Sequence, residues 1–153
     1  MDSWDWTWLR MARKFALERS KDPSTKVGAV VAKNKQCLGI GYNGFPPGLA
    51  DLPQRLNNRA YKHAHTIHAE DNALWWAGRE NTPGATIYIW PYPPCLNPCG
   101  LHIVRAGIIR VVCLTIPKDP VWQTVMRKAR VMFQERRITV EEVTLTEGEH
   151  LDA

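Results

Sequence analysis

No stretch of this chain approaches the roughly 18 consecutive apolar residues that a membrane-spanning helix needs, so no membrane partner is expected. The opening Met1-Asp2-Ser3-Trp4-Asp5 has no basic segment followed by an apolar one, so a signal peptide is not expected. A cytoplasmic, reducing location is the expectation. Cysteine is scarce, at four in 153 residues (Cys37, Cys95, Cys99, Cys113). That excludes a disulfide-dense scaffold and leaves metal ligation or apolar burial as their roles. There is no internal repeat, low-complexity tract or linker, so one domain over residues 1–153 is expected, with a polar tail from about residue 147 that frays. There is no basic stripe either. The net charge of +5, spread along the chain, favours an anionic partner: a nucleotide, a phosphorylated metabolite or, least expected of the three, a nucleic acid.

Tryptophan is what the chain has in excess, with seven. Ser3 is placed to cap a helix over 4–19, whose buried face is Trp8, Met11, Ala12, Phe15 and Ala16. Trp4-x-Trp6-x-Trp8 breaks that period, so one or two rings are expected off the face, against another subunit or a loop. Two short β-branched runs, 27–32 and 37–42, flank a turn at Asn34-Lys35 and predict an antiparallel hairpin. Residues 43–58, with three prolines and two glycines, predict a long loop of the functional kind. A helix over 68–77 is expected to end at Gly78. Strand 85–90, a proline-rich turn 91–98, a helix from Cys99 to Ala106 opened by Pro98, strand 108–114, a helix 120–137 and strand 138–143 complete the order. In the 120–137 helix Val121, Val125, Met126, Ala129, Met132 and Phe133 form the inner side. Strand–helix–strand units after a hairpin predict an α/β three-layer αβα sandwich, a mixed five-stranded sheet with helices on both faces.

His68, Glu70, Cys95 and Cys99 are the residues that carry chemistry. One imidazole and two thiolates suit Zn2+, and a catalytic site keeps its fourth position for water. Helix starts near His68 and Cys99 favour thiolates there. Two thiolates offset the ion's charge and leave a milder Lewis acid, so a separate proton carrier is useful. Glu70 is placed for that role without serving as a ligand. A closed structural site remains open as an alternative, with His102, three residues beyond Cys99, as a fourth ligand. His63 and His65 read as loop or surface histidines, Cys37 and Cys113 as core, and His150 as solvated.

The pattern His68-Ala69-Glu70, Pro94-Cys95, Cys99 resembles the zinc nucleobase deaminases. Ser20-Lys21-Asp22-Pro23-Ser24-Thr25-Lys26-Val27-Gly28, Gly41-Tyr42-Asn43-Gly44-Phe45-Pro46, His68-Ala69-Glu70-Asp71-Asn72-Ala73 and Ile103-Val104-Arg105-Ala106-Gly107-Ile108 resemble the deoxycytidylate deaminases in particular. The resemblance implies the cytidine deaminase-like fold and hydrolysis of dCMP to dUMP and ammonia, supplying dUMP for thymidylate synthesis. Water would add at C4, and Glu70 would carry protons through N3 to the departing amine. Asn43 would bind the deoxyribose hydroxyl, and the backbone at Ala69 would meet the base. Ser24, Thr25 and Lys26 form the candidate phosphate site, and Trp122 either walls the substrate cavity or packs in the core. The resemblance further implies a homo-oligomer, a hexamer in many members, with dCTP and dTTP as effectors. Gly41, Tyr42, Asn43 and Gly44 resemble the effector segment, and Arg79 and Trp76 are added candidates. One departure stands out: three residues, Leu96-Asn97-Pro98, separate the cysteines where the family has two. Rival readings are a 5-substituted dCMP, cytidine, guanine or tRNA adenosine as substrate, or a non-enzymatic zinc module that binds nucleotide.

Overall fold

The computed structural model of the chain describes residues 1–116, 118–144 and 151. The elements are α1 (Ser3–Arg19), β1 (Gly28–Lys33), β2 (Gln36–Tyr42), α2 (Pro53–Leu56), α3 (Arg59–His65), α4 (Ala69–Ala77), β3 (Thr86–Trp90), α5 (Leu101–Arg105), β4 (Arg110–Leu114), α6 (Pro120–Glu135) and β5 (Thr139–Val143). The strand order is β2-β1-β3-β4-β5. β1 is antiparallel to both β2 and β3, while β3, β4 and β5 run parallel. This is the expected mixed sheet, a hairpin followed by crossover units.

Alternation along the strands feeds two apolar layers. Ala29, Val31, Ile87, Ile89, Val111 and Cys113 face α4, α5 and α6, where they meet Ala69, Ala73, Ile103, Ala129 and Phe133. Val30, Ala32, Tyr88, Val112 and Leu114 face α1, where they meet Trp8, Leu9 and Ala12. Helices therefore cover both faces, and the fold is the expected αβα sandwich.

Several local expectations are corrected. The cap of α1 is Asp2, not Ser3, and a capping box with Asp5 closes the first turn. Leu9 is fully buried on that helix, whereas Met11 and Phe15 are half-buried. Trp4 tilts against Trp8 with ring centroids 5.4 Å apart. The expected loop contains α2, with Pro53 in its first turn, and its end leads into α3, capped by the Asn58 side chain. Helical backbone does resume at Pro98, as expected, directly after an extended Asn97, and runs on into α5. A wide turn over Leu96–Gly100, broken by an extended Asn97 (φ −128°, ψ 121°), precedes α5. Val121 and Trp122 are exposed on α6, so Trp122 is not a core residue. Cys113 is core, but Cys37 is exposed. Of the tail from 147, Leu151 is described and buried in the apolar layer facing α1, while His150 lies outside the described residues.

α4 lies unusually close to β2. A Cβ on Gly39 would sit 2.3 Å from the Ala73 carbonyl oxygen, and one on Gly41 would sit 2.5 Å from that of Ala69. Glycine is required at both points by the approach of another backbone. Small residues on the helix side, Ala69, Ala73 and Ala77, complete the contact. This packing sets the depth at which the start of α4 sits beside the sheet.

Candidate active site

Two segments bring the chemistry together. The first is the entry to α4. Backbone hydrogen bonds of 3.1 and 2.8 Å pair Gly44 with Ile67, and the Asn72 amide donates to the Tyr42 carbonyl at 2.8 Å. His68 is the N-cap residue, yet its side chain makes no capping bond. That leaves the imidazole free for another use. Glu70 follows in the first turn and is 5% exposed. The second segment is the turn after β3. Cys95 precedes the wide turn, whose Gly100 amide donates to the Cys95 carbonyl at 2.7 Å. The reversal returns Cys99 to within reach of His68.

His68 Nδ1 lies 3.1 Å from Cys99 Sγ and 3.8 Å from Cys95 Sγ. All three donor atoms fall within 4.8 Å of one another. A tetrahedral zinc ion bound by one nitrogen and two sulfurs sets donor edges of roughly 3.5–3.8 Å. The donor chemistry and the span therefore both fit Zn2+. Among the described residues this is the one group of three potential ligands. The closed four-ligand alternative finds no support, because His102 Nδ1 is hydrogen-bonded to Asp71 Oδ1. His63 and His65 are exposed on α3, as expected, with the His65 ring stacked on Tyr61.

Without a metal, the two thiols divide one titration. The hydrogen bond from Cys99 and then the one with His68 draw Cys95 below the usual thiol range, against its burial. The same Cys95 bond, burial and the nearby Glu70 charge push Cys99 up. The expectation that both cysteines are readily thiolate therefore holds for Cys95 alone until a cation neutralises the second. The Cys95 hydrogen bond raises His68 against its burial. Burial pushes Glu70 up, and the neighbouring His68 only partly opposes it. Glu70 Oε2 accepts from the Cys99 thiol at 3.3 Å, beside the ligands and outside their set.

The flanking candidates are placed differently from one another. Asn43 is buried. Its Oδ1 accepts from Ser20 Oγ and the Val27 amide, each at 2.8 Å, and its Nδ2 donates to the Thr25 carbonyl at 2.8 Å. One Nδ2 hydrogen remains for another acceptor. Lys26 Nζ donates to the Ser20 carbonyl at 2.7 Å. Ser24 and Thr25 are exposed, and both backbone amides donate to Asp22 Oδ1. Ala69 is buried in the first turn of α4. Sequence reasoning missed Lys62, which reaches from α3 to Asp22 Oδ1 at 2.9 Å and Ser24 Oγ at 2.8 Å. No spacing pattern marks it. Tyr42, Asn43 and Gly44 line a small open cleft with Arg19, Lys21 and Lys62. Gly41 is buried against α4, and Arg79, beyond the end of α4, is not part of that cleft.

Residues 2–115 match the family described as the cytidine and deoxycytidylate deaminase zinc-binding region. The deoxycytidylate deaminase of Mus musculus is 33% identical over 150 residues, covering 94% of this chain and 82% of the relative. That of Mycobacterium phage D29 is 40% identical over 121 residues, covering 71% and 92%. A solved dCMP deaminase from cyanophage S-TIM5, in complex with dCMP and dUMP, superposes with a TM-score of 0.66 at 25% identity, over 90% of this chain and 94% of the other. The chain belongs to the cytidine and deoxycytidylate deaminase family of zinc-binding hydrolases.

Proposed function

From that membership we propose that the chain catalyses hydrolytic deamination of dCMP, giving dUMP and ammonia. One observation carries the reading: a buried carboxylate, Glu70, stands against a His-Cys-Cys donor set without being needed as a ligand. His68, Cys95 and Cys99 would hold Zn2+. When bound, the ion supplies Lewis-acid polarisation of a water molecule. Burial keeps Glu70 a weak enough acid to take a proton and release it again. It would receive the first proton of the attacking water and pass it to N3 as water adds to C4, then take the proton of the new C4 hydroxyl and deliver it to the exocyclic amine, which leaves as ammonia.

Ser24, Thr25 and Lys26 are proposed to meet the phosphate, with Lys62 adding a second ammonium beside Ser24. Asn43, locked by its own hydrogen bonds, offers its remaining amide hydrogen to the sugar, and the Ala69 backbone meets the base. A cytoplasmic homo-oligomer, a hexamer by preference, is proposed; Trp75 and Trp76, exposed by 79% and 69%, support an interface on the outer side of α4. The cleft of Tyr42, Asn43 and Gly44 is the proposed place for dCTP or dTTP. A 5-substituted dCMP is the second reading. It is favoured by the extra residue in the ligand turn, where Asn97 stays exposed.

The test is ammonia release from dCMP, CMP, dCTP, deoxycytidine, 5-methyl-dCMP and tRNA. Turnover confined to the dCMP group supports the proposal, and absence of turnover on that group sinks it.

A further inference from the structure

The active site has two halves that are far apart in sequence. His68 and Glu70 belong to the start of α4, and Cys95 and Cys99 to the turn before α5. Side-chain hydrogen bonds join the halves at His68–Cys99, His68–Cys95, Cys99–Glu70 and Asp71–His102. The first three end on ligand atoms or on the proton carrier. They must be rearranged when an ion takes the two sulfurs and the imidazole. The fourth involves no ligand and persists.

We propose that Asp71 and His102 form a clamp that fixes the spacing between the Glu70 carboxylate and the Cys99 sulfur, acting as positioning residues. Asp71 follows Glu70 directly. His102 lies three residues after Cys99, where one helical turn puts residues on a common face. The carboxylate can only accept, so the imidazole Nδ1–H donates. α5 is five residues long, too short to hold its place unaided, and needs an external grip. The packing of Gly100 against Ala129 and Met132 grips it from the α6 side. The clamp grips it from the α4 side. With His102 38% and Asp71 20% exposed, the pair lies outside the apolar core. A displacement near 1 Å at a reacting centre costs about a hundredfold in rate, which gives such a clamp its leverage.

This inference rests on the zinc-site reading, and its test separates the two. Zinc-loaded wild type, Asp71→Ala, His102→Ala, the double variant and Asp71→Asn are compared by the rate of zinc transfer to excess chelator and by kcat and KM for dCMP. Each alanine variant is expected to release zinc about tenfold faster, with kcat lowered and KM unchanged. The double variant is expected to be no worse than the worse single variant, as for partners in one interaction. Asp71→Asn keeps an oxygen acceptor and is expected to recover most of the zinc retention. Zinc release at the wild-type rate from both alanine variants, or effects that multiply in the double variant, would overturn the clamp. Wild type that binds no zinc would overturn the site reading and the clamp with it. Wild type that holds zinc but leaves dCMP untouched would sink the substrate reading alone, and the zinc-release comparison then decides the clamp.

Discussion

Asp5 and Glu70 are both buried carboxylates, 4% and 5% exposed, on opposite faces of one sheet. Their surroundings treat them in opposite ways. Asp5 accepts from Arg110 Nη1 at 2.7 Å and Nη2 at 3.0 Å, from the Tyr88 hydroxyl at 2.7 Å and from the Asp2 amide at 2.8 Å. Burial pushes its carboxyl up, but the Arg110, Asp2 and Tyr88 hydrogen bonds outweigh that and hold it at about 2. Among the described residues Glu70 has one side-chain partner, the Cys99 thiol, and burial wins. Equal burial therefore does not set the protonation state. The supply of donors does. Where donors are abundant the carboxylate is a fixed structural anion. Where they are withheld it can take up and release a proton.

That contrast is open to direct attack. The largest effect is expected at the ligands: Cys99→Ser, or prolonged chelation, should remove essentially all ammonia release, with metal analysis showing the loss of zinc. Next comes Glu70→Gln. It should lower kcat by about 10²–10⁴-fold while zinc content holds and the melting temperature stays level or rises, because a buried group lacking donors is replaced by a neutral one. A fall in stability without a fall in rate would make Glu70 another Asp5. Asp5→Asn is the converse. It should cost about 3 kcal/mol in chemical denaturation and leave kcat at 25 °C unchanged, since Arg110 keeps Glu141 at 2.6 Å.

Acid titration sharpens the same point. The folded value for Asp5, about 2, lies below the model-compound 3.8, so its contribution of about 2 kcal/mol is complete above roughly pH 4 and is lost as pH falls to about 2. Wild type should lose that stability over this window, and Asp5→Asn should not. Smallest is Lys26→Ala. It should raise KM for dCMP severalfold and change stability by no more than about 1 kcal/mol, the worth of one hydrogen bond to the Ser20 carbonyl. A large stability loss with KM unchanged would make Lys26 a purely structural residue.

The grouping of His68, Cys95 and Cys99 with Glu70 beside them was legible because each half is a compact motif, and metal chemistry restricts which residue types qualify. The sheet and its pairing were legible because period-two runs and a turn fix a hairpin, and helices between later strands force parallel crossovers. The Asp5–Arg110 pair was not. Its members are 105 residues apart, and a charged residue in a helix reads as a solvated face until the partner is known. α2 and α3 were hidden for a different reason. Helices of 4 and 7 residues are too short to show a period and are held by caps and tertiary contacts instead. Lys62 went unseen with them, since its importance lies in reaching Ser24 across a loop. Asn43 was singled out for a ligand, while most of its amide capacity ties the 20–27 segment to the end of β2.

The close approach of α4 to Gly39 and Gly41 has a consequence for how this chain can diverge. The helix rests on bare backbone, so any side chain added beneath it can only push it outward, carrying His68 and Glu70 away from Cys95 and Cys99. No substitution there can draw the helix inward. Variation at those two strand positions is therefore one-sided and closed to gradual tuning. New specificities must instead arise in the 43–66 and 91–99 segments, whose length and composition can change while the ruler under α4 stays fixed.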